Sequence, residues 1–153
     1  MGITIDSQIW IYYFDPNADE HKNVCNWIDD VLTNENISLS VIIPMEVAHR
    51  LYRIKDLSKS NLDRLLLKWI TKENIDIISA DHRILLISLE LMKKYQDEGV
   101  GGRDCVILAS MFDNKIDTIV THDKNFLKIT NIKRIDPVED PPIVLNINHE
   151  YIE

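Results

Sequence analysis

Short apolar runs rich in β-branched residues alternate along the chain with segments whose apolar residues recur every three or four positions. The first pattern is typical of buried strands, and the second of helices with one buried face. The predicted strands span residues 3–5, 37–43, 75–79 and 119–121, with 132–135 as a candidate fifth. This alternation predicts an α/β domain of three layers, with a central, mainly parallel sheet of four to five strands flanked by helices.

Several helix boundaries carry their own signals. Ser7 precedes the apolar run 9–14, and Pro44 suits the first turn of a helix that follows the second strand. Asp81 is the predicted N-cap of a long helix that runs through Tyr95, and a glycine-rich segment, 99–102, ends it. Further predicted helices cover residues 24–32 and 62–69, and a last one begins beside Asp104.

The end of the chain differs from the rest. We expect residues 1–136 to form one domain, because a chain of 153 residues suffices for a single core. Pro141 and Pro142 interrupt the tail, residues 137–153. The apolar run 143–147 within the tail is compatible with an edge strand or with docking on a partner.

Four carboxylates from distant parts of the chain are predicted to meet at one edge of the sheet. Asp6 and Asp123 follow the first and fourth strands, at the edge where open α/β sheets bind ligands. Glu46 and Asp104 are expected in the first turns of two helices that reach the same edge. Taken singly, each acid is more simply explained as a helix cap or as a partner of a helix dipole. Taken together they would repel one another unless a cation lay among them, and oxygen ligands without nearby Cys or His favour Mg²⁺ or Mn²⁺.

The motifs around these acids resemble those of the PIN-domain ribonucleases, in particular the VapC-type toxins of prokaryotic toxin–antitoxin pairs. The matching segments are Asp6-Ser7, Pro44-Met45-Glu46-Val47-Ala48, Gly102-Arg103-Asp104-Cys105-Val106-Ile107-Leu108-Ala109 and Thr121-His122-Asp123-Lys124-Asn125-Phe126. The last segment fits the family pattern Thr/Ser-x-Asp-x-x-Phe, and the resemblance covers about residues 2–136. It implies a PIN-like fold and a metal-dependent endoribonuclease, usually a homodimer, that a small antitoxin protein holds inactive.

The expected chemistry is hydrolysis of an RNA phosphodiester bond. Mg²⁺ held by carboxylates lowers the pKa of a bound water, orients that water in line with the scissile bond and neutralises charge on the departing oxygen. The residues assigned as catalytic acids and metal ligands are Asp6, Glu46, Asp104 and Asp123. Thr121 is assigned as a hydroxyl that positions an acid, a water or a metal-bound water. His122 fits a solvated loop histidine better than an RNA contact or a proton-transfer group.

The charge of the chain bears on how it would hold RNA. With 17 Lys and Arg against 25 Asp and Glu, the net charge is −8, which excludes a generic polycationic binder. Residues 44–72 form a basic block, with seven basic residues and three acids. Such a block is more often a solvated face, but phosphate binding gives it a functional interpretation. Arg50, Arg53 and Arg103 are the candidate RNA contacts, and Arg103 is equally compatible with a plain surface position.

Features linked to cellular location point to the cytoplasm. No apolar stretch approaches the roughly 20 residues of a membrane-spanning helix, so we expect no membrane partner. The N-terminus lacks the basic region of a signal peptide. Cys25 and Cys105 are far apart in the chain, which fits a reducing compartment better than a disulfide framework.

Two other hypotheses stay open. The chain could be a catalytically weak PIN domain that serves as an RNA- or protein-binding module, and metal-dependent cleavage would separate this hypothesis from the leading one. It could instead be a phosphoryl-accepting α/β domain. The first strand ends Asp6-Ser7-Gln8, however, and lacks both the Asp-x-Asp of haloacid-dehalogenase-type phosphatases and the adjacent acid pair of response receivers.

Overall fold

The computed structural model describes residues 2–147, which fold into six strands and six α-helices. The strands are β1 (Ile3–Ile5), β2 (Ile37–Ser40), β3 (Ile75–Ile78), β4 (Thr118–Val120), β5 (Ile132–Asp136) and β6 (Ile143–Ile147). The helices are α1 (Ser7–Phe14), α2 (His21–Asn34), α3 (Ile42–Leu51), α4 (Lys59–Ile70), α5 (His82–Tyr95) and α6 (Gly102–Asp113). A short 3-10 helix, Lys124–Lys128, lies between β4 and β5. Within the described residues, no helix is both long and apolar enough to span a membrane.

The six strands form one sheet in the order β3-β2-β1-β4-β5-β6. Every neighbouring pair is parallel except β5 and β6, which are antiparallel. Helices flank this sheet, which confirms the predicted three-layer α/β architecture. The sheet has six strands rather than four to five, because residues 143–147 add β6 at one edge. The domain boundary at residue 136 stays a prediction, and the last part of the tail, 148–153, lies outside the described residues.

The sheet is buried at its centre, where the functional edge is built. The side chains of Ile5 on β1, Leu39 on β2 and Val120 on β4 are fully buried. Because strands covered by helices on both faces have no solvated side, such strands are almost continuously apolar. The central strands are therefore firm supports for the polar residues that follow them.

An aromatic cluster holds α1 against α4. The rings of Trp10 and Trp69 lie 4.8 Å apart between centroids, and those of Phe14 and Trp69 lie 5.2 Å apart. Pairs of this kind contribute about 0.5–1.5 kcal/mol each beyond the burial of their area. The cluster therefore fixes the helix that begins directly after Asp6.

The second strand is shorter than the sequence predicted. β2 ends at Ser40 and α3 begins at Ile42, so Ile42 and Ile43 belong to a helix, not to a strand. β2 ends where its neighbour β3 ends, because Ser40 pairs with Ile78, the last residue of β3. Pro44 suits the helix that follows, because the first N–H groups of a helix have no partner within the helix and a proline has no N–H to leave unpaired. Pro44 does lie in the first turn of α3, as predicted. The prediction that Glu46 lies in the first turn was wrong, because α3 begins at Ile42 and Glu46 falls in its second turn.

Other predicted boundaries agree with the structure. The carboxylate of Asp81 caps α5 by accepting a hydrogen bond of 3.0 Å from the N–H of Ile84. Gly99, in the turn after α5, has a φ of 74°, a conformation that favours glycine. Asp104 lies in the first turn of α6. The sequence signals for this half of the chain were therefore sufficient to place its helices.

Candidate active site

The carboxyl ends of the central strands meet at one edge of the sheet. Asp6 follows β1 directly, and its N–H donates to the carbonyl oxygen of Val120 on β4 at 2.9 Å. A helix that precedes a parallel strand runs opposite to it, so the first turn of α6, with Asp104, reaches the same edge. Glu46 arrives on α3, which follows β2. The topology thus brings together acids that are distant in the sequence.

Asp6 is the most buried of these acids, with 3% of its side chain exposed. Its Oδ1 accepts a hydrogen bond of 2.8 Å from the N–H of Ser7, and so Asp6 also caps α1. Its Oδ2 accepts one of 2.8 Å from the hydroxyl of Thr121. That hydroxyl in turn accepts one of 3.0 Å from the N–H of Asp123. Thr121 therefore links Asp6 to the loop after β4. Of the three roles that the sequence suggested for this hydroxyl, the contact with Asp6 corresponds to the positioning of an acid.

Arg103 lies among the acids. Its Nη2 donates to Oδ1 of Asp6 at 2.6 Å, and its Nη1 donates to Oδ1 of Asp104 at 2.7 Å. Its Nε donates to Oε1 of Glu46. The hydroxyl of Ser7 joins the cluster, because it accepts from Nη2 at 2.5 Å and donates to Oε2 of Glu46 at 2.8 Å. Each nitrogen of one guanidinium thus contacts a different carboxylate.

Burial and neighbouring charges shift the pKa values of two groups in this cluster. Burial by itself lowers the pKa of Arg103, but attraction to Asp6 and hydrogen bonds with Glu46 and Asp6 outweigh it, and the pKa is raised overall. The pKa of Asp104 is also raised, first by burial and then by Asp6 and Asp123, although Arg103 opposes the shift. At Asp104, burial and the two neighbouring acids therefore together outweigh the attraction of Arg103.

A cavity of about 460 Å³ opens beside the cluster. Its lining residues are Asp6, Ser7, Gln8, Ile11, Tyr12, Glu46, Arg50, Arg103, His122 and Asp123. Of the three arginines named from the sequence as RNA contacts, Arg50 and Arg103 line it and Arg53 does not. Arg53 is exposed elsewhere on the surface. Asp123 also lines the cavity, and its Oδ1 caps the 3-10 helix by accepting a hydrogen bond of 2.9 Å from the N–H of Asn125.

A second charged cluster, absent from the sequence prediction, lies beside the first. His122 contacts the Oδ2 of Asp136 through Nδ1 at 2.8 Å, and the Nη2 of Arg134 lies 3.5 Å from the same oxygen. The side chains of Arg134 and Asp136 are only 4% and 6% exposed. The sequence did hold a signal, because Asp136 follows the predicted fifth strand, 132–135, just as Asp6 follows the first. His122 is therefore held by a buried carboxylate and is not a freely solvated loop residue.

The donor set of the first cluster suits a hard divalent cation. As the side chains stand, no three Asp, Glu, His or Cys side chains among residues 2–147 are grouped closely enough to hold a metal ion together. The guanidinium of Arg103 lies between Asp6, Glu46 and Asp104 and keeps their oxygens apart. Carboxylate oxygens that converge on one cation are nevertheless the ligands that Mg²⁺ and Mn²⁺ prefer. The assignment of these acids as metal ligands stays a prediction.

Comparison with known proteins gives one family match and a consistent fold. The family model described as PIN domain matches residues 3–132. No curated protein sequence matches the chain significantly. The family match leaves the hypothesis of a phosphoryl-accepting domain without support.

Several solved structures share the fold at low sequence identity. The VapBC2 complex of Rickettsia felis, bound to a DNA fragment from its promoter, is 20% identical over 88% of this chain and 97% of that chain, with a TM-score of 0.65. VapC20 of Mycobacterium tuberculosis, described as a sarcin–ricin loop cleaving toxin, is 12% identical over 82% and 92%, with a TM-score of 0.67. DNA-bound VapBC of Salmonella typhimurium is 15% identical over 90% and 98%, with a TM-score of 0.67.

Proposed function

The chain belongs to the PIN domain family, and on that premise we propose that it is a Mg²⁺- or Mn²⁺-dependent endoribonuclease and the toxin of a toxin–antitoxin pair. PIN domain nucleases generally use divalent metal ions. The observation that carries the proposal is the convergence of Asp6, Glu46 and Asp104, from three separate elements, on one cationic group. A purely structural salt bridge needs one carboxylate for one guanidinium, whereas this edge of the sheet supplies three.

Each residue of the first cluster has a proposed role in binding the ion or in positioning its ligands. The side chains of Asp6, Glu46, Asp104 and Asp123 would hold the ion, and the ion would supply Lewis-acid activation of water and neutralise charge at the phosphate. Thr121 keeps Asp6 and the backbone of Asp123 at a fixed separation through its two hydrogen bonds. Ser7 orients Glu46 through its hydroxyl.

An acidic protein still offers RNA a basic approach to this site. The seven basic side chains of the block 44–72 are all exposed, and one of them, Arg50, lines the cavity. Phosphate binding by exposed Lys and Arg is electrostatic and weakens as the salt concentration rises. We propose that these residues guide RNA to the cavity. Arg50 would act beside the acids, and Arg53 outside the cavity.

Partners and location complete the proposal. Complexes of toxins with antitoxins are among the structures with this fold, and one toxin among them cleaves the sarcin–ricin loop. We propose a small antitoxin protein, a homodimer and a cytoplasmic location for this chain. Size-exclusion chromatography with light scattering tests the dimer, and co-purification with the product of a neighbouring gene tests the antitoxin.

A second candidate function has one observation in its favour. Arg103 contacts the same three acids that a metal ion would need. If Arg103 never left them, the domain would bind RNA or protein without cleaving RNA. A cleavage assay separates the two functions.

The experiment compares RNA cleavage by the purified protein with EDTA, with Mg²⁺ and with Mn²⁺. We expect no cleavage with EDTA and internal cleavage of the RNA when either ion is added. A matched Asp123→Asn variant controls for contaminating nuclease, since it should lose the metal-dependent cleavage. Cleavage that persists in EDTA, or that the variant retains in full, would contradict the proposal.

A further inference from the structure

The guanidinium of Arg103 takes up the oxygens that the proposed metal ion requires. Its Nε, Nη1 and Nη2 contact Glu46, Asp104 and Asp6 respectively, and Nη2 also contacts the hydroxyl of Ser7. A guanidinium carries one positive charge, and the three carboxylates carry up to three negative charges. The cluster therefore holds its cation firmly but remains negative, which is the condition under which a divalent ion competes well.

We propose that Arg103 is an exchangeable internal cation, which holds the three acids together while no divalent ion is bound and gives up its place to that ion. This inference rests on the proposed metal-dependent function. It assigns Arg103 a positioning role before metal binds. Once displaced, its guanidinium remains at the cavity and is available to an RNA phosphate.

The contacts of Arg103 are of a kind that can be exchanged. Among the described residues, its guanidinium donates only to side-chain oxygens, so its departure leaves no backbone carbonyl without a donor. The carboxylates that it leaves are the groups that the ion would take up. Arg103 is therefore replaced by another cation, and no buried acid is left without a partner.

Space and access also allow the exchange. About a third of the Arg103 side chain, 32%, is exposed, and the side chain lines the cavity of about 460 Å³. Its backbone lies in the first turn of α6, directly after Gly101 and Gly102, so the long side chain starts from the rim of the site. The guanidinium can thus move into the cavity without displacing a core residue.

Arg50 provides a matched control. It lines the same cavity and carries the same charge, but among the described residues its side chain has no hydrogen bond or ion pair with an acid. Removing the side chain of Arg50 changes the local charge by one unit and leaves the contacts between Arg103 and the three acids in place. The difference between variants at 103 and 50 therefore isolates direct competition from general electrostatics.

The test is the affinity of metal-free protein for Mn²⁺, measured without RNA by titration calorimetry and by electron paramagnetic resonance. We expect Arg103→Met to bind Mn²⁺ at least about tenfold more tightly than the wild type, which corresponds to about 1.4 kcal/mol. Arg50→Met should change the affinity by less than about threefold, because it removes only a screened charge. The melting temperature of Arg103→Met should also rise more on addition of Mn²⁺ than that of the wild type.

Two further measurements keep the test decisive. If Arg103→Met does not fold without metal, Arg103→Lys retains the charge but reaches fewer acids, and it should bind Mn²⁺ more tightly than the wild type. In the wild type, the NMR signal of the Arg103 Nε–H should move as Mg²⁺ is titrated.

Each outcome bears on the inference. Equal or weaker Mn²⁺ binding by both Arg103 variants, or an Nε–H signal that Mg²⁺ leaves unmoved, would overturn the exchange while leaving the nuclease proposal in place. Absence of metal binding in the wild type and in all variants would overturn both.

Discussion

Two charged clusters lie side by side at the same edge of the sheet, and they are built on different principles. Around Arg103, three carboxylates share one guanidinium, and the arginine is a third exposed. Around Asp136, one carboxylate is shared by Arg134 and His122, and the arginine is almost fully buried. The first cluster has more negative charge than its own cation can offset, whereas the second lacks any such excess. An excess of acid is what a metal site needs, and its absence is what a structural support needs.

The second cluster also explains how the first is supported. The Nε of Arg134 donates to the carbonyl oxygen of Asp123 at 3.3 Å, and Asp136 holds the ring of His122. Both contacts fix the loop that carries Asp123 to the cavity. The difference between the clusters therefore corresponds to a division between residues that would hold the ion and residues that hold the loop.

The largest expected effect comes from removing an acid of the first cluster. Asp6→Asn keeps the shape of the side chain but removes its charge, so RNA cleavage should fall by about 100-fold or more, because even the outer partners of metal ligands contribute 10- to 100-fold. The fold should survive, since the amide oxygen can still accept from the N–H of Ser7 and the new amide NH₂ can donate to the hydroxyl of Thr121. Initial cleavage rates and the melting temperature measure the two effects. Wild-type rates in a folded Asp6→Asn protein would remove Asp6 from the mechanism.

The second cluster should respond in stability and not through metal. Arg134→Met leaves Asp136 buried with only His122 beside it, and we expect a loss of about 3 kcal/mol in the free energy of unfolding. Urea denaturation with and without Mg²⁺ measures this loss, and the difference between variant and wild type should be the same in both conditions. A smaller difference in Mg²⁺ would show that the two clusters are not distinct.

Thr121 links the two regions, and its removal should have an intermediate effect. Thr121→Val deletes the hydroxyl that donates to Asp6 and accepts from the N–H of Asp123. We expect cleavage to fall by about tenfold, because groups that orient metal ligands typically contribute 10- to 100-fold. Thr121→Ser keeps the hydroxyl and serves as the control. Equal rates for Val and Ser variants would mean that the hydroxyl positions nothing of importance.

The smallest effects are expected on the basic face. Arg50→Ala should weaken RNA binding by a few fold and lower the salt dependence of binding by about one unit in a log–log plot, as for one phosphate contact. Arg53→Ala should do less, since Arg53 does not line the cavity. Fluorescence anisotropy with Asp6→Asn as the background measures both, because the RNA then stays intact. A larger effect at 53 than at 50 would place the RNA path away from the cavity.

The sequence was sufficient for the fold and for the meeting of the acids, because both follow from topology. Once β1 and β4 are recognised as parallel strands, Asp6 and the Thr121–Asp123 loop must share an edge of the sheet. Asp136 could have been found by the same rule, since it ends β5 beside that edge. The prediction considered only the four acids within the family motifs, and so it passed over Asp136 after the candidate fifth strand, 132–135.

Other features could not be predicted from the sequence for physical reasons. Ile42 and Ile43 have strong strand propensity, so the start of α3 depends on tertiary context, because β3 ends at Ile78, opposite Ser40, and gives these two residues no partner on that side. The conformation of the Arg103 side chain depends on three carboxylates that only the folded chain assembles. Neither feature has a local signal that outweighs its tertiary context.

The position of the metal ion itself tests the central claim most directly. The measurement is a crystal structure determined from crystals soaked with Mn²⁺, in which the anomalous scattering of the ion gives its position. The account predicts an anomalous peak bound by Asp6 and at least one of Glu46, Asp104 and Asp123, with the Arg103 guanidinium turned towards the cavity. A Mn²⁺ ion bound elsewhere, with Arg103 still in contact with Asp6, Glu46 and Asp104, would contradict it.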